Sequence, residues 1–247
     1  MSVLATVKGR AQKEAKILVI NPNSSQSMTE SLVKMFQTSP PPAHVTLSFF
    51  TGPTECPKSI DDEKGCHASA AACLSLLLPG VHAHEYDAYL VACYSEHPLP
   101  GLLRDASGGR TPALGIFEAS VLYCLANTSP VEKFGIITTG KVWEALLTDA
   151  LGHFVGAAGS VRFAGVMTTG YTAVELHQVP QADVYHKIGE AVKVLVEDRG
   201  ASAICLGCAG MVGMEEAITE ALGETWAGKV MIVDGVQVGV LLLISMV

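Results

Sequence analysis

Charged and aromatic residues are scarce in this chain, and their scarcity excludes several classes of protein. Charged residues make up 16% of the 247 residues and aromatic residues 6%. The formal net charge is −8 and no cluster of Lys or Arg occurs, whereas a nucleic-acid binder needs a positive surface. We therefore expect no nucleic-acid partner. Because 49% of the residues are hydrophobic, most of the chain should fold around a core.

Long hydrophobic runs and targeting segments are also missing. The longest apolar stretch, Val236–Val247, has 12 residues, whereas a membrane-spanning helix needs about 20. We interpret this stretch as a buried final helix and expect no membrane partner. Residues 1–16 contain five charged side chains and no apolar segment of signal-peptide length. Together with an odd number of cysteines, seven, this predicts reduced thiols and a cytoplasmic protein.

Motifs of several common enzyme classes are absent. The turn after the first predicted strand, Asn21–Ser25, has no glycine to cradle a phosphate, and no Gly-x-Ser-x-Gly elbow occurs. Cys205 and Cys208 have the spacing of a zinc or redox pair, but no second pair of close Cys or His ligands accompanies them. His97 follows Cys93 in a turn before a proline, where we expect it to face solvent. We predict no metal and no cofactor.

Strand-like and helix-like segments alternate along the chain. This alternation predicts βαβ units, parallel sheets and right-handed crossovers. The predicted strands are 17–20, 45–50, 88–92, 113–116, 135–138, 161–166, 203–206 and 230–233. The predicted helices are 28–37, 63–78, 142–151, 184–198 and 215–222.

The two halves of the chain have a similar spacing of strand ends and cysteines. The apolar run that ends at Asn21 precedes Cys93 by 72 residues, and the run that ends at Thr138 precedes Cys208 by 70. Each cysteine closes the third predicted strand of its half. In open α/β sheets, ligands bind beyond the carboxyl ends of the strands. A pseudo-twofold pair of such units would therefore put both thiols across one cleft.

The residues after Cys208 are small, which leaves room for a ligand near the main chain. Strand alternation should turn Cys205 and Cys208 toward opposite faces of the sheet. Backbone amides at a helix N-terminus stabilise an anion, so we expect a lowered pKa for the Cys208 thiol. A buried cysteine in a tight turn is the alternative interpretation.

Weaker expectations attach to two other parts of the chain. Residues 51–64 are polar, rich in Pro and Gly, and too long for a tight connection, so they form either a lid or a surface excursion. Ser24 or Ser25 should cap the first helix. Glu118 is expected to act as a helix-start capping or dipole residue.

Six short segments carry a family resemblance. They are Ile20–Ser25, the loop from Thr51 to Ile60, Ala92–Ser95, Gly115–Ala119, Thr138–Thr139 and Leu206–Met211. Together they resemble the hydantoin racemase branch of the Asp/Glu racemase superfamily, and within it the allantoin racemase-like proteins of fungi. The last segment is specific, the Asn-Pro-Asn turn is fairly so, and the two-threonine turn is weak by itself. The segments cover the chain from about residue 16 to its end.

The resemblance implies an α/β fold of two similar Rossmann-like (flavodoxin-like) lobes. Their parallel sheets are related by a pseudo-twofold axis, and the active site lies in the cleft between them. We assign residues 1–116 and a final helix, 235–247, to the first lobe and residues 117–234 to the second. The implied catalytic residues are Cys93 and Cys208. The implied substrate-binding residues are Asn23, Ser24, Tyr94, Ser95, Thr138, Thr139, Ala209 and Gly210.

The implied activity is racemisation without a cofactor. Inverting a stereocentre beside a carbonyl needs a base on one face and an acid on the other, which two thiols supply. Amino-acid racemases of the superfamily have Asn-Thr and Thr-His after their cysteines. This chain has Tyr94-Ser95 and Ala209-Gly210, which favours a neutral hydantoin or ureide such as allantoin over glutamate or aspartate.

The expected partners are a small-molecule substrate and further copies of the chain in a homo-oligomer. Two alternatives stay open. One is a decarboxylase or isomerase of the same superfamily with a single working cysteine, and the other is a non-catalytic ureide-binding protein.

Overall fold

The computed structural model describes residues 13–247. Most of the segment 1–16, on which the expectation of no targeting signal rests, lies outside the described residues. Within residues 13–247, no helix combines the length and the apolar character that crossing a membrane requires.

Within the same residues, eight strands form two four-stranded parallel sheets. The first sheet has the order β2-β1-β3-β4, with β1 (Ala15–Asn21), β2 (Val45–Thr51), β3 (Ala88–Val91) and β4 (Ala113–Gly115). The second has the order β6-β5-β7-β8, with β5 (Lys133–Thr138), β6 (Phe163–Thr168), β7 (Ala201–Leu206) and β8 (Met231–Asp234). The equivalent orders confirm the α/β class and the repeat of two similar lobes.

The inner strands form where the sequence predicts them because their central residues are apolar. Every residue of β3 is buried, and β5 is buried from Phe134 onward. Strands covered by helices on both faces have this composition. The predictions err at strand ends: β4 stops at Gly115 because Ile116 begins a helix, and the predicted strand 161–166 lies at Phe163–Thr168.

Helices cover both faces of the sheets. They are α1 (Gln26–Thr38), α2 (Glu63–His82), α3 (Leu99–Ala106), α4 (Ile116–Asn127), α5 (Val142–Ser160), α6 (Gln181–Lys193), α7 (Glu215–Trp226) and α8 (Gly235–Ile244). The predicted helix 184–198 continues past α6 as a π-helical turn at Val194–Asp198. Helix α4 was missed because apolar residues surround nearly its whole circumference, so it has no amphipathic period to detect.

A crevice opens at the carboxyl edge of each sheet. In the first sheet β1 lies between β2 and β3, so the chain leaves β1 toward one side and leaves β3 toward the other. Loops that diverge in this way leave a gap beyond the two strand ends. Strands β5 and β7 repeat the arrangement in the second sheet. Cys93 follows β3, and Cys208 follows β7.

Helix α8 is the buried final helix that the sequence predicts, and it packs against α4 and the first sheet. Two of its glycines allow the close approach. A Cβ added to Gly239 would lie 2.6 Å from Cδ1 of Leu90 in β3, and one added to Gly235 would lie 2.7 Å from Oγ of Ser120 in α4. Any larger residue would push α8 away from β3 or from α4. The division into residues 1–116 with 235–247 and residues 117–234 stays a prediction.

Candidate active site

A small cavity of about 40 Å³ lies where the carboxyl edges of the two sheets meet. Among the described residues, no charged side chain lines it. The lining residues are Asn23, Met28, Ile60, Ala92, Cys93, Tyr94, Thr138, Thr139, Trp143, Ala173, Gly207, Cys208, Ala209 and Gly210.

Cys208 precedes a short 3-10 turn, Ala209–Met211, that holds the sulfur by backbone amides. The N–H of Gly210 donates to Cys208 Sγ at 3.3 Å. Burial raises the pKa of the Cys208 thiol to about 11, although the amides of Gly210 and Met211 oppose the shift. The expectation of a lowered pKa was therefore wrong. The desolvation of a buried thiolate outweighs the favourable amide dipoles of a single turn.

Cys93 is held by side chains instead. Its Sγ lies 3.3 Å from the Ser95 hydroxyl, and the Cys66 thiol donates to the same hydroxyl at 3.5 Å. Hydrogen bonding to the Cys66 thiol and burial raise the pKa of the Cys93 thiol well above its usual range. Both cleft thiols are therefore mostly protonated at neutral pH.

The prediction that His97 faces solvent was wrong. The imidazole is only 5% exposed, beneath α2, and burial lowers its pKa to about 4. Its Nε2 lies 3.0 Å from Ser69 Oγ, and its Nδ1 accepts from the Leu99 N–H at 3.2 Å. The thiols of Cys66 and Cys93 and a ring nitrogen of His97 lie within 4.8 Å of one another. Cys66, 27 residues before Cys93, has no signal in the sequence that would have found it.

The first turn contributes Asn23 to the cavity but not Ser24. The Ser24 hydroxyl donates to the Cys56 carbonyl at 2.9 Å, and its N–H donates to the Pro57 carbonyl at 3.0 Å. Ser24 therefore ties the first turn to the 51–64 loop. Ile60 of that loop is buried and lines the cavity, so the loop forms one wall of the site. The loop is therefore more than a surface excursion, and its role as a lid stays a prediction.

The expected cap of α1 takes a different form. Ser25 occupies the capping position, but its side chain makes no capping hydrogen bond. Asn23 Oδ1 instead accepts from the Ser25 N–H at 2.9 Å. This bond turns the amide side chain of Asn23 back toward its own loop and fixes it beside the cavity.

In the second lobe, the predicted residues Thr138, Thr139, Ala209 and Gly210 all line the cavity. The Thr138 hydroxyl donates to the Gly207 carbonyl and so joins the end of β5 to the turn before Cys208. Thr139 makes no such cross-link among the described contacts, and its hydroxyl is the one available to a ligand.

Tyr94 lines the cavity, whereas Ser95 lies outside it and contacts Cys93. The Tyr94 ring packs edge-on against Phe117, with ring centroids 5.7 Å apart, and its buried hydroxyl has no hydrogen-bond partner among the described residues. Ser95 lines a neighbouring cavity, and its hydroxyl lies 3.3 Å from Cys93 Sγ.

Glu118 lies in the first turn of α4, as a helix-start residue should, and it is half-buried outside the cleft with its Oε2 atom shielded from solvent. Burial raises its pKa to about 7.

Six lining residues are absent from the predicted site: Met28, Ile60, Ala92, Trp143, Ala173 and Gly207. Ile60, Ala92 and Gly207 lie within the segments that carry the family resemblance. Met28, Trp143 and Ala173 lie in none of those segments, so only the folded chain brings these three to the cavity.

Comparison with known proteins agrees with this architecture. The family described as Asp/Glu/Hydantoin racemase matches residues 17–243. An uncharacterised protein of Schizosaccharomyces pombe is 40% identical over 232 residues, which cover 94% of this chain and 92% of that protein. The hydantoin racemase of Rhizobium meliloti is 30% identical over 225 residues, which cover 91% of this chain and 85% of the enzyme.

Among solved structures, the allantoin racemase of Pseudomonas fluorescens has a TM-score of 0.77 against this chain. The match covers 94% of this chain and 90% of that enzyme, at 24% sequence identity. The two proteins share the fold of two lobes around a central cleft.

Proposed function

This chain belongs to the Asp/Glu/hydantoin racemase family and is an isomerase of the racemase class, and we propose that it racemises a hydantoin or a related ureide such as allantoin. Cys93 and Cys208 are the proposed acid–base pair, and the reaction uses no cofactor. One observation carries the proposal: both thiols line one cavity, each just beyond the carboxyl end of an equivalent strand.

The proposed chemistry moves one proton across a planar intermediate. A thiolate on one face removes the proton from the stereocentre, and the thiol on the other face delivers its own proton. The first cysteine ends as a thiol and the second as a thiolate, so the two exchange roles with each turnover. The enolate-like oxygen needs fixed donors. The Thr139 hydroxyl and the Asn23 amide are the lining groups suited to this task.

The lining of the cavity supports a neutral substrate. Glutamate and aspartate each bring charged groups, and a buried charge is costly without a partner of opposite sign. The described lining has amide, hydroxyl, thiol and apolar groups but no such partner. A ureide ring needs only hydrogen-bond donors and acceptors, which Asn23 and Thr139 offer.

Polarimetry tests the proposal directly. One enantiomer of allantoin, or of a 5-substituted hydantoin, is incubated with the protein, and spontaneous racemisation without protein is subtracted. We expect the rotation to decay to zero, while L-glutamate and L-aspartate keep theirs. Decay for the two amino acids alone would overturn the substrate class. A ureide that raises the melting temperature without losing rotation would favour the non-catalytic binding protein.

Isotope exchange separates two bases from one. In deuterated water, two bases on opposite faces give product that carries solvent deuterium, while the remaining substrate gains little early in the reaction. A single base serves both faces and labels both enantiomers alike. Equal early labelling, after subtraction of uncatalysed exchange, would favour the enzyme with a single working cysteine.

A further inference from the structure

We propose that Cys66, Cys93 and His97 form a binding site for a thiophilic divalent cation, Zn²⁺, and that zinc bound there inhibits the protein by occupying Cys93. The three donor atoms lie within 4.8 Å of one another. Two thiols and an imidazole are the ligand set that zinc prefers among side chains.

The three ligands come from three fixed parts of the first lobe. Cys66 lies near the start of α2, Cys93 follows β3, and His97 lies in the turn before α3. Cys66 and His97 are buried, and Cys93 is half-buried. Tetrahedral zinc holds its ligand atoms about 3.5–3.8 Å apart, given its bond lengths to sulfur and nitrogen. The donor atoms therefore need to close by about 1 Å at most, which side-chain rotation can supply.

The existing contacts of these ligands are weak enough to be replaced. The two thiols contact each other and share the Ser95 hydroxyl, at 3.3 and 3.5 Å. Each ring nitrogen of His97 has one uncharged partner, the Ser69 hydroxyl or the Leu99 amide. Zinc displaces one of these two bonds and leaves the other to orient the ring, as happens for metal-bound histidines in general.

A second cavity gives zinc a route to the site. It measures about 460 Å³ and opens beside the cleft, with Cys66, Ser95 and His97 in its wall. Its wall also carries Glu63, Glu96 and Asp149. Glu63 lies 3.9 Å from His67 and Glu96 lies 3.1 Å from His153, and both imidazoles line the same space. The carboxylates attract a cation, and the open cavity holds the water that completes the coordination.

Inhibition follows from the shared ligand. Zinc binding releases a proton from each thiol and leaves both sulfurs bonded to the metal. Cys93 then cannot exchange a proton with a substrate. Cys208 stays free, because its sulfur is held by the Gly210 amide and belongs to no such cluster among the described residues.

Cobalt titration tests the site without any substrate, so the result is independent of the proposed racemase activity. Reduced wild-type protein, freed of thiol reagents, is titrated with Co²⁺ while the thiolate-to-cobalt charge-transfer band is recorded. We expect one Co²⁺ per chain with a two-thiolate band, displaced by Zn²⁺. Cys66→Ser should halve the band intensity and weaken binding at least tenfold. Cys73→Ser, a buried thiol outside the cluster, is the matched control and should behave as wild type.

Three results would overturn the site. They are the absence of a thiolate band in wild type, unchanged binding by Cys66→Ser, and loss of the band in Cys208→Ser, which would place the metal between the two cleft thiols. If Cys66→Ser does not fold, X-ray absorption of zinc-loaded wild type decides the question. Two sulfur ligands with at least one imidazole support the site, and a shell without sulfur overturns it. In a racemase assay, the rate of each variant with zinc is divided by the rate of the same variant without zinc.

Discussion

The two strand ends that carry Cys93 and Cys208 have the same backbone topology and different chemical support. Backbone amides of the Ala209–Met211 turn hold Cys208 Sγ. The hydroxyl of Ser95 and the thiol of Cys66 surround Cys93. The repeat therefore conserves the position of a thiol while each lobe supplies its own means of stabilising it. The main-chain contact of Cys208 cannot be removed by substituting a side chain. The contacts of Cys93 come from side chains, so a substitution can remove them.

The largest expected effect comes from removing either thiol. Cys93→Ser and Cys208→Ser should each lower racemisation by about 10³-fold or more, because a serine hydroxyl is far too weak an acid to replace a thiol in proton transfer. Polarimetry measures the rate, and circular dichroism checks the fold. If one variant kept near-wild-type turnover with an unchanged spectrum, the reaction would not need both thiols.

The pH dependence should be steep. The proposed mechanism needs one thiolate, and both pKa values lie above the usual range, that of Cys208 at about 11. Only the deprotonated fraction is active as base, so kcat/KM should rise about tenfold per pH unit from pH 6 to 8. A plateau beginning below pH 7 would mean that ligand-free protein already holds a thiolate, contrary to the burial of both groups.

Ser95→Ala tests the two sites separately because it removes a hydrogen-bond partner from Cys93 and leaves Cys208 unchanged. Loss of one hydrogen bond to a reacting sulfur should lower kcat about 2- to 10-fold. The pH profile should shift upward as well, since a thiolate at Cys93 loses its hydroxyl donor. Ser75→Ala, on the exposed face of α2, is the control and should leave both unchanged. An effect of the same size in both variants would indicate a general loss of packing.

The smallest effect on turnover is expected from Cys205→Ala. Cys205 is fully buried, with its Sγ 3.4 Å from that of Cys124 in α4, and it faces away from the cleft. We expect turnover within about twofold of wild type and a loss of about 1–2 kcal/mol in the free energy of unfolding. Urea denaturation measures the second quantity. A folded variant as inactive as Cys208→Ala would revive the redox interpretation of the Cys205–Cys208 pair.

Much of the architecture was determined by the sequence alone. The apolar runs at the centres of β1, β3, β5 and β7 predict buried parallel strands because no charged residue interrupts them. The spacing from Asn21 to Cys93 and from Thr138 to Cys208 predicts two equivalent lobes with thiols at matching strand ends. These features are local or periodic, so they can be read without knowing any contact.

Other features of the site depend on contacts between residues far apart in the chain, and only the tertiary structure shows them. Cys66 and His97 come together with Cys93 only because α2 packs over the turn after β3. The turn that should lower the pKa of Cys208 is present, but burial raises that pKa to about 11. Desolvation is the sum over all atoms around a group, most of them far away in the chain. A motif specifies the donors beside a thiol, and only the packed lobes specify how much water reaches it.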